Sequence, residues 1–220
     1  MISVEAVTLS FGKTRAVDGV SLQAADGETL VVTGPSGSGK TTLLRIIAGL
    51  DRAEAGTVTV DGRVVSGPGT FVEPWSRGLA MVFQRPALWP HMTVEQNVAF
   101  GLGRLSRAAT RSRTRELLDA VGLADLARRR GDDLSAGQAR RVALARALAP
   151  EARHVLMDEP LVNLDPDLKA AMLRLLRAET ARTGATLIYV AHDQDEMAAL
   201  GGRVVRLERG RLVGRQMEGI

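Results

Sequence analysis

The apolar positions of the chain follow two periods, one typical of strands and one typical of helices. Near the start of the chain, strands are predicted at Val4–Leu9, Val20–Ala24 and Thr29–Val32. The third run is apolar on both faces, which favours a central strand. Apolar residues at helical spacing follow it, at Leu43, Ile46, Ile47 and Leu50. Because Gly49 is placed to end that helix, the segment predicts a strand, a glycine-rich loop and a helix.

The rest of the chain alternates in a similar way, with one long helical interruption. A β-rich stretch is predicted at Gly56–Val65, and strands at Leu79–Phe83, Val155–Met157, Thr186–Val190 and Val204–Leu207. Between them the pattern is helical from Thr93 to about Pro150. Two capping boxes begin helices there, formed by Thr93 with Gln96 and by Ser135 with Gln138. A further helix carries one apolar face at Leu168, Met172, Leu175 and Leu176. The pattern predicts an α/β fold interrupted by a helical block.

The amino-acid composition limits the classes of fold and function to which the chain can belong. The chain has 220 residues, 45% hydrophobic and 3% aromatic, which suits one α/β domain. It has no cysteine, which excludes disulfides, zinc knuckles and thiol catalysis. We expect no transmembrane segment and no signal peptide, because no run of eighteen apolar residues occurs and the start MISVEAVTLS carries an acidic residue. The chain itself is therefore expected to be soluble and to stay inside the cell.

The net charge of +4 could point to nucleic acid. The basic residues are almost all arginine, with the densest groups at Arg104–Arg115 and Arg128–Arg130. These groups lack the interleaved aromatic residues that stack on single-stranded bases. We interpret them as solvated helix faces, and no nucleic-acid partner is expected.

The segment GPSGSGKTT matches the phosphate-loop pattern GxxxxGK[ST], directly after an apolar strand and before a helix. The glycines would let backbone N–H groups surround a β-phosphate, and Lys40 would reach the β- and γ-phosphate oxygens. Thr41 would be a magnesium ligand, and Thr42 would contact the α-phosphate. The alternative is a plain turn before a helix, which leaves the match of the full pattern unexplained.

Two carboxylates follow the strand at Val155–Met157, namely Asp158 and Glu159. Ligand sites in open α/β sheets lie at such strand ends. Asp158 would hold magnesium through water, and Glu159 would orient or deprotonate the attacking water of a phosphoryl transfer. The alternative role for both side chains is to cap a turn or a helix.

The segment LSAGQARRVALARAL begins at Leu134 and precedes this carboxylate strand. Together with the phosphate loop, it resembles the ATP-binding subunit of an ATP-binding-cassette transporter over nearly the whole chain. The resemblance implies that Ser135, Gly137 and Gln138 face an ATP held by the phosphate loop of a second subunit. A capped helix N-terminus suits an anion, although the same residues also describe an ordinary capping box. Ala136 replaces a usual glycine, which would cost about 1–2 kcal/mol if that residue needs a left-handed backbone and nothing if it is helical.

Further positions fall in the order of that family. The resemblance implies that Gln84 touches magnesium and the attacking water and that His192 contacts the γ-phosphate. It also implies that Asp165 belongs to the segment facing the second subunit and that Phe11 stacks on adenine. Taken singly, these residues could be a loop cap, a strand-end histidine or core. The implied catalytic set is Glu159, His192 and Gln84, and the implied metal set is Thr41, Gln84 and Asp158. The implied nucleotide-binding set is Phe11, Gly34, Pro35, Ser36, Gly37, Ser38, Gly39, Lys40, Thr41, Thr42, Ser135, Gly137, Gln138 and Asp165.

The resemblance also implies a fold and a set of partners. We expect one domain over residues 1–220, with a RecA-like P-loop NTPase core and an antiparallel β subdomain in 1–85 and 151–220 and an inserted α-helical subdomain in about 86–150. The expected ligands are ATP and Mg²⁺. The expected partners are a second such subunit, membrane permease subunits and, for an importer, an extracytoplasmic substrate-binding protein. Trp89, Pro90 and Met92 are candidate permease contacts, and the alternative for a tryptophan next to a proline is local packing. The chain would lie in the cytoplasm on the inner face of the cell membrane.

Solute import is the function that this resemblance favours. An ATPase of an efflux, lipoprotein-release or cell-division complex is the nearest alternative, because compact subunits of similar length serve such complexes. A nucleic-acid-processing ATPase is less favoured, since the chain has no long coiled-coil insertion and no cysteine for a zinc hook.

Overall fold

The computed structural model describes residues 1–103 and 105–217, with the backbone alone for residues 214–217. Within these ranges the chain forms two sheets and six α-helices. The strands are β1 (Ile2–Phe11), β2 (Thr14–Ala24), β3 (Thr29–Thr33), β4 (Ala55–Val60), β5 (Arg63–Gly67), β6 (Thr70–Phe71), β7 (Leu79–Val82), β8 (His154–Asp158), β9 (Thr186–Val190), β10 (Arg203–Glu208) and β11 (Arg211–Met217). The helices are α1 (Lys40–Ala48), α2 (Val94–Ala99), α3 (Arg107–Ala120), α4 (Ala136–Leu148), α5 (Pro166–Thr183) and α6 (Gln194–Leu200).

The larger sheet brings distant parts of the chain to one edge. Its strand order is β11-β10-β3-β9-β8-β7, and all neighbours are parallel except β10 and β11. In the register, Val82 pairs with Met157 and Asp158 pairs with Val190, so β7, β8 and β9 end side by side. The smaller sheet, β2-β1-β4-β5-β6, is antiparallel. The loops after the parallel strands therefore share one edge, where ligand sites of such sheets lie.

The larger sheet separates two hydrophobic cores. Along β3, Leu30 and Val32 face the antiparallel sheet and α1, whereas Val31 faces the side on which α2, α3, α4 and α5 pack. All three side chains are fully buried. Burial of a side chain of this size stabilises the fold by roughly 1.5–3 kcal/mol. The central strand thus joins both cores and fixes the start of the loop that follows it. The structure has the predicted α/β architecture of a P-loop NTPase.

The predicted elements are confirmed in kind, and several bounds differ. The helix after the glycine loop ends at Ala48, and Gly49 adopts the left-handed conformation with φ of 83°, as predicted. Leu50 is wrong as a member of its apolar face, because it lies beyond the helix end and is 37% exposed. The strand predicted from Val20 begins earlier, at Thr14, since it continues the hairpin with β1.

In its described residues, the helical block contains the three helices α2, α3 and α4. Both predicted capping boxes are confirmed: the Gln96 N–H donates to Thr93 Oγ1 at 3.2 Å, and the Gln138 N–H donates to Ser135 Oγ at 3.3 Å. Ala136 is the first residue of α4 and is helical, so it adopts a conformation that carries no penalty for its methyl group. No helix in the part of the chain that the structure describes is both long and apolar enough to cross a bilayer.

The arginine-rich stretch is only partly a solvated face. Arg107, Arg111 and Arg115 are exposed on α3, as predicted, and Arg104 lies outside the described residues. The interpretation is wrong for Arg113, which is 8% exposed and forms an ion pair with Glu179 of α5. A buried guanidinium needs such a carboxylate partner to offset its loss of hydration.

Candidate nucleotide-binding site

The glycine-rich loop between β3 and α1 is shaped by two close backbone approaches. Gly34 has φ of +144°, and a side chain there would lie 2.0 Å from the Leu207 carbonyl oxygen. Gly39 has φ of +103°, and a side chain there would lie 2.1 Å from the Ala16 carbonyl oxygen. Only glycine meets both conditions at either position. Strands β2 and β10 therefore pack closely against the loop and restrict its backbone conformation. The loop leads directly into the N-terminus of α1.

The start of α1 offers donors to an anion. Gly39 is its N-cap and supplies no side-chain hydrogen bond to the first turn. Lys40 is buried, and its ammonium donates to the carbonyl oxygens of Gly34 and Pro35 at 2.9 and 3.0 Å. The buried Ser38 hydroxyl has no hydrogen-bond partner among the described residues. An uncapped helix N-terminus, an ammonium group and an unpaired hydroxyl together suit a phosphate group.

The other predicted residues of this loop lie around it. Pro35, Ser36 and Gly37 are exposed, and Thr42 is half-buried in the first turn of α1. They leave one side of the loop open to solvent.

Two oxygen donors lie together beside the loop. The Thr41 hydroxyl donates to Asp158 Oδ1 at 3.1 Å, although the two residues are 117 positions apart. Asp158 is buried at the end of β8. Burial raises the pKa of the Asp158 carboxyl and the Glu159 carboxylate adds to this, while the Thr41 hydroxyl, Lys40 and Arg45 lower it. Hydroxyl and carboxylate oxygens are donors that a hard divalent cation prefers, so this pair fits magnesium.

Glu159 follows in an unusual backbone conformation. Its φ is +45°, in the left-handed region that costs a non-glycine residue about 1–2 kcal/mol. Its carboxylate accepts a hydrogen bond from the Gln84 amide at 3.1 Å, and its carbonyl oxygen accepts one from Arg140 at 3.0 Å. Strained residues of this kind concentrate at functional sites. The structure thus brings Gln84, after β7, to Glu159, after β8.

His192 lies two residues beyond the end of β9, on the neighbouring strand end. Its side chain is exposed, and its backbone N–H donates to Glu196 Oε2 at 2.8 Å. The Glu159 N–H donates to the Val190 carbonyl oxygen at 3.2 Å, which joins the two strand ends. The three predicted catalytic residues therefore follow three adjacent strands at the same edge as the phosphate loop.

The remaining predicted residues make no hydrogen bond to this cluster among the described residues. Ser135, Asp165 and Phe11 are exposed, whereas Gly137 and Gln138 are half-buried. Ser135 forms its capping box with Gln138, and no hydrogen bond joins either residue to the phosphate loop in the described chain. A side chain added at Gly137 would meet only Leu164, at 3.5 Å. Asp165 caps α5, since its carboxylate accepts from the Leu168 N–H at 2.9 Å. Phe11 is 57% exposed at the end of β1.

Comparison with known proteins identifies the family. The family described as ABC transporter matches residues 17–162, which contain the phosphate loop, the Asp158–Glu159 strand end and the helix beginning after Ser135. The chain belongs to the ABC transporter family.

Curated relatives of this ABC transporter chain include three import subunits. The sn-glycerol-3-phosphate import ATP-binding protein UgpC 1 of Rhizobium johnstonii is 45% identical over 96% of this chain and 57% of the relative. The trehalose/maltose import ATP-binding protein MalK of Thermococcus litoralis is 44% identical over 91% and 55%. The Fe(3+) ions import ATP-binding protein FbpC of Streptomyces avermitilis is 45% identical over 96% and 61%. The chain thus spans little more than half the length of these relatives.

Solved structures share the whole fold. A dimeric ATP-binding cassette in a post-hydrolysis state, bound to ADP and Pi, superposes with a TM-score of 0.88 at 30% identity, covering 99% of this chain and 98% of the other. A dimeric bacterial ABC transporter cassette gives a TM-score of 0.86 at 30% identity, covering 99% and 98%.

The ABC transporter chain also contains site contacts that the sequence analysis missed. Arg140 of α4 reaches the backbone of Glu159, and Glu196 holds the backbone of His192. The spacing of Asp193 and Glu196 was a usable signal, because an acidic residue followed three positions later by Glu is typical of a helix start, and Asp193 does cap α6. Trp89 also packs locally, since its ring centroid lies 3.9 Å from that of Phe100 and 4.7 Å from the Arg146 guanidinium carbon, while its contact with a permease stays a prediction.

Proposed function

We propose that this chain is the ATP-hydrolysing subunit of a solute importer, which dimerises around ATP and drives a separate membrane permease. The observation that carries the proposal is the meeting of the phosphate loop with Asp158, Glu159, Gln84 and His192 at one edge of the sheet. The relatives that are named import ATP-binding proteins support the transport direction. The chain would act in the cytoplasm, bound to permease subunits at the inner face of the membrane and supplied by an extracytoplasmic binding protein.

Each residue has a role that follows from its place. The backbone N–H groups after Gly34 and the Lys40 ammonium would bind the β- and γ-phosphates. Glu159 would orient the attacking water and accept its proton, Gln84 would hold that carboxylate, and His192 would contact the γ-phosphate. Thr41, Asp158 and Gln84 would hold Mg²⁺, which would neutralise phosphate charge when bound. Phe11 would stack on adenine.

Four residues at the starts of α4 and α5, all of them exposed or half-buried, fit a second subunit: Ser135, Gly137, Gln138 and Asp165. In one chain they make no hydrogen bond to the phosphate loop among the described residues, yet Ser135 begins a capped helix whose N-terminus attracts an anion. They would complete the ATP site of a partner copy. We also propose the division of the domain into a core at 1–85 and 151–220 and a helical subdomain at about 86–150.

Replacement of Glu159 by Gln tests the proposal. The variant keeps the shape of the side chain and loses its basicity, so it should bind ATP, stop turnover and accumulate as a dimer. Light scattering after size exclusion at saturating ATP and Mg²⁺ measures the mass, and phosphate release measures turnover. The control is Glu5→Gln, an exposed change on β1 that should leave both unchanged. A monomer at saturating ATP would contradict the dimeric site.

The transport half of the proposal needs a cellular assay. A strain carrying Glu159→Gln should lose ATP-dependent uptake of a solute of the kinds that the relatives are named for: glycerol phosphate, a disaccharide or ferric iron. Uptake of all three classes at the wild-type rate, with the purified variant inactive, would contradict this part.

A further inference from the structure

A partly buried ion cluster contacts the backbone of His192. It consists of Lys169, Asp193 and Glu196, which we call the Lys169 cluster. The Lys169 ammonium lies 2.6 Å from Asp193 Oδ2 and 3.4 Å from Glu196 Oε1. The other carboxylate oxygen of Glu196 accepts the backbone N–H of His192 at 2.8 Å. A single carboxylate therefore joins the lysine to the backbone of the histidine.

Burial explains why a lysine lies beside Glu196. Glu196 is 0% exposed, so its carboxylate loses its hydration, and a nearby cation offsets that loss. Within the part of the chain that the structure describes, the ion pairs of Glu196 and Asp193 all run to Lys169. Tyr189 is buried in the same region, where burial and the nearby Glu196 carboxylate raise the pKa of its hydroxyl. Its neutral hydroxyl therefore supplies no counter-charge.

The cluster joins two elements that the proposed function uses separately. Lys169 belongs to the first turns of α5, four residues after its N-cap Asp165. Asp193 caps α6 by accepting the Glu196 N–H at 2.9 Å, and His192 immediately precedes that cap. A displacement of the start of α5 would therefore move Lys169 and the carboxylate that fixes the His192 backbone.

We propose that Lys169 and Glu196 are positioning residues that hold the backbone of His192 in place and couple it to the Asp165 end of α5. This inference rests on the proposed function for its kinetic consequence, because His192 is assigned there to the γ-phosphate. The hydrogen bond itself does not depend on that assignment, so it can be measured in the absence of ATP hydrolysis.

The first experiment observes the hydrogen bond directly. The chain has three histidines, so labelling with ¹⁵N-histidine gives three backbone amide signals, and the His192→Gln variant identifies the signal of interest. Lys169→Met and Glu196→Gln should each move the His192 signal upfield and speed its hydrogen exchange, while the other two signals stay in place. Lys169→Arg should restore the wild-type signal, and Lys13→Met, at an exposed lysine, is the matched control. A His192 signal that is unmoved in both Lys169→Met and Glu196→Gln overturns the proposal.

The second experiment asks whether the cluster acts through His192. Lys169→Met should lower kcat for ATP about tenfold with KM nearly unchanged, because the phosphate loop is untouched, and Lys169→Arg should recover it. In a His192→Ala background, Lys169→Met should cause no further loss, since coupled residues are not additive. An equal tenfold loss in both backgrounds indicates a general structural role and overturns the proposal. A wild-type chain without ATPase activity would instead contradict the proposed function, and the amide signals would then decide on the cluster alone.

Discussion

Arg77 is the buried charge whose removal gives the clearest test of how the phosphate-loop helix is held. It is 4% exposed, and its guanidinium donates to the carbonyl oxygens of Val72, Ile46 and Ile47 at 2.8, 3.0 and 2.9 Å. Ile46 and Ile47 lie in the last turn of α1, where carbonyl groups have no i+4 partner inside the helix, although the Ile46 carbonyl also accepts the Gly49 N–H at 3.1 Å. Arg77 therefore caps the C-terminus of the helix that begins at Lys40.

The expected cost of Arg77→Met follows from these contacts. A hydrogen bond to a charged group contributes about 1.5–3 kcal/mol, net of the hydration that both partners lose. Loss of hydration is also the cause that lowers the pKa of Arg77. The three bonds of Arg77 share one guanidinium and are not additive, so we expect Arg77→Met to destabilise the fold by about 3 kcal/mol. In a domain of this size that lowers the Tm by about 6–12 °C.

The control for this prediction is Arg52→Met. Arg52 and Arg77 lie at similar distances from the Phe71 ring, 5.4 and 5.2 Å to its centroid, but Arg52 is exposed. Loss of that cation–π contact alone should cost less than about 1 kcal/mol. Thermal unfolding followed by circular dichroism measures both variants. Equal Tm values for Arg77→Met and Arg52→Met would refute the argument that the buried guanidinium caps α1.

Two further changes separate the parts of the nucleotide site. Lys40→Ala should weaken binding of a fluorescent ATP analogue by at least about tenfold, because the ammonium in the phosphate loop is lost, whereas Lys13→Ala should leave it unchanged; equal affinities would argue against the loop as the binding site. Ser135→Ala should lower ATP turnover more than ATP binding, since its proposed contact comes from the second subunit, and should cost about 1 kcal/mol of unfolding free energy through the lost cap. Equal losses of turnover and binding would argue against that geometry.

The sequence was sufficient to predict those parts of the site that are formed by contiguous residues. The phosphate loop and the Asp158–Glu159 strand end could be predicted because glycines, an adjacent apolar strand and a following helix all lie within a few positions. Their meeting in space also followed from the rule that parallel strands end at one edge. The hydrogen bond between Thr41 and Asp158 is a direct result of that rule.

The sequence was insufficient where a buried charged residue depends on a partner far away in the chain. Arg113 resembles its exposed arginine neighbours on α3, and its burial depends on Glu179, 66 positions later. The helix start at Ser106 and the strand β11 carried only weak local signals and were not predicted. Arg77, Lys169 and Glu196 were missed for the same reason, because a single charged side chain gives no periodic pattern.

The backbone groups that pack against the phosphate loop belong to residues outside the motif. The carbonyl oxygen of Ala16 lies against Gly39 and that of Leu207 lies against Gly34. Most of the sequence separates Ala16 from Leu207. A fragment that stops before β10 would retain the whole GPSGSGKTT motif but lose the Leu207 carbonyl group, which is one of the two backbone contacts of the loop. We therefore expect affinity for a triphosphate to depend on the larger sheet as a whole, so that loss of β10 impairs binding although the motif itself is intact.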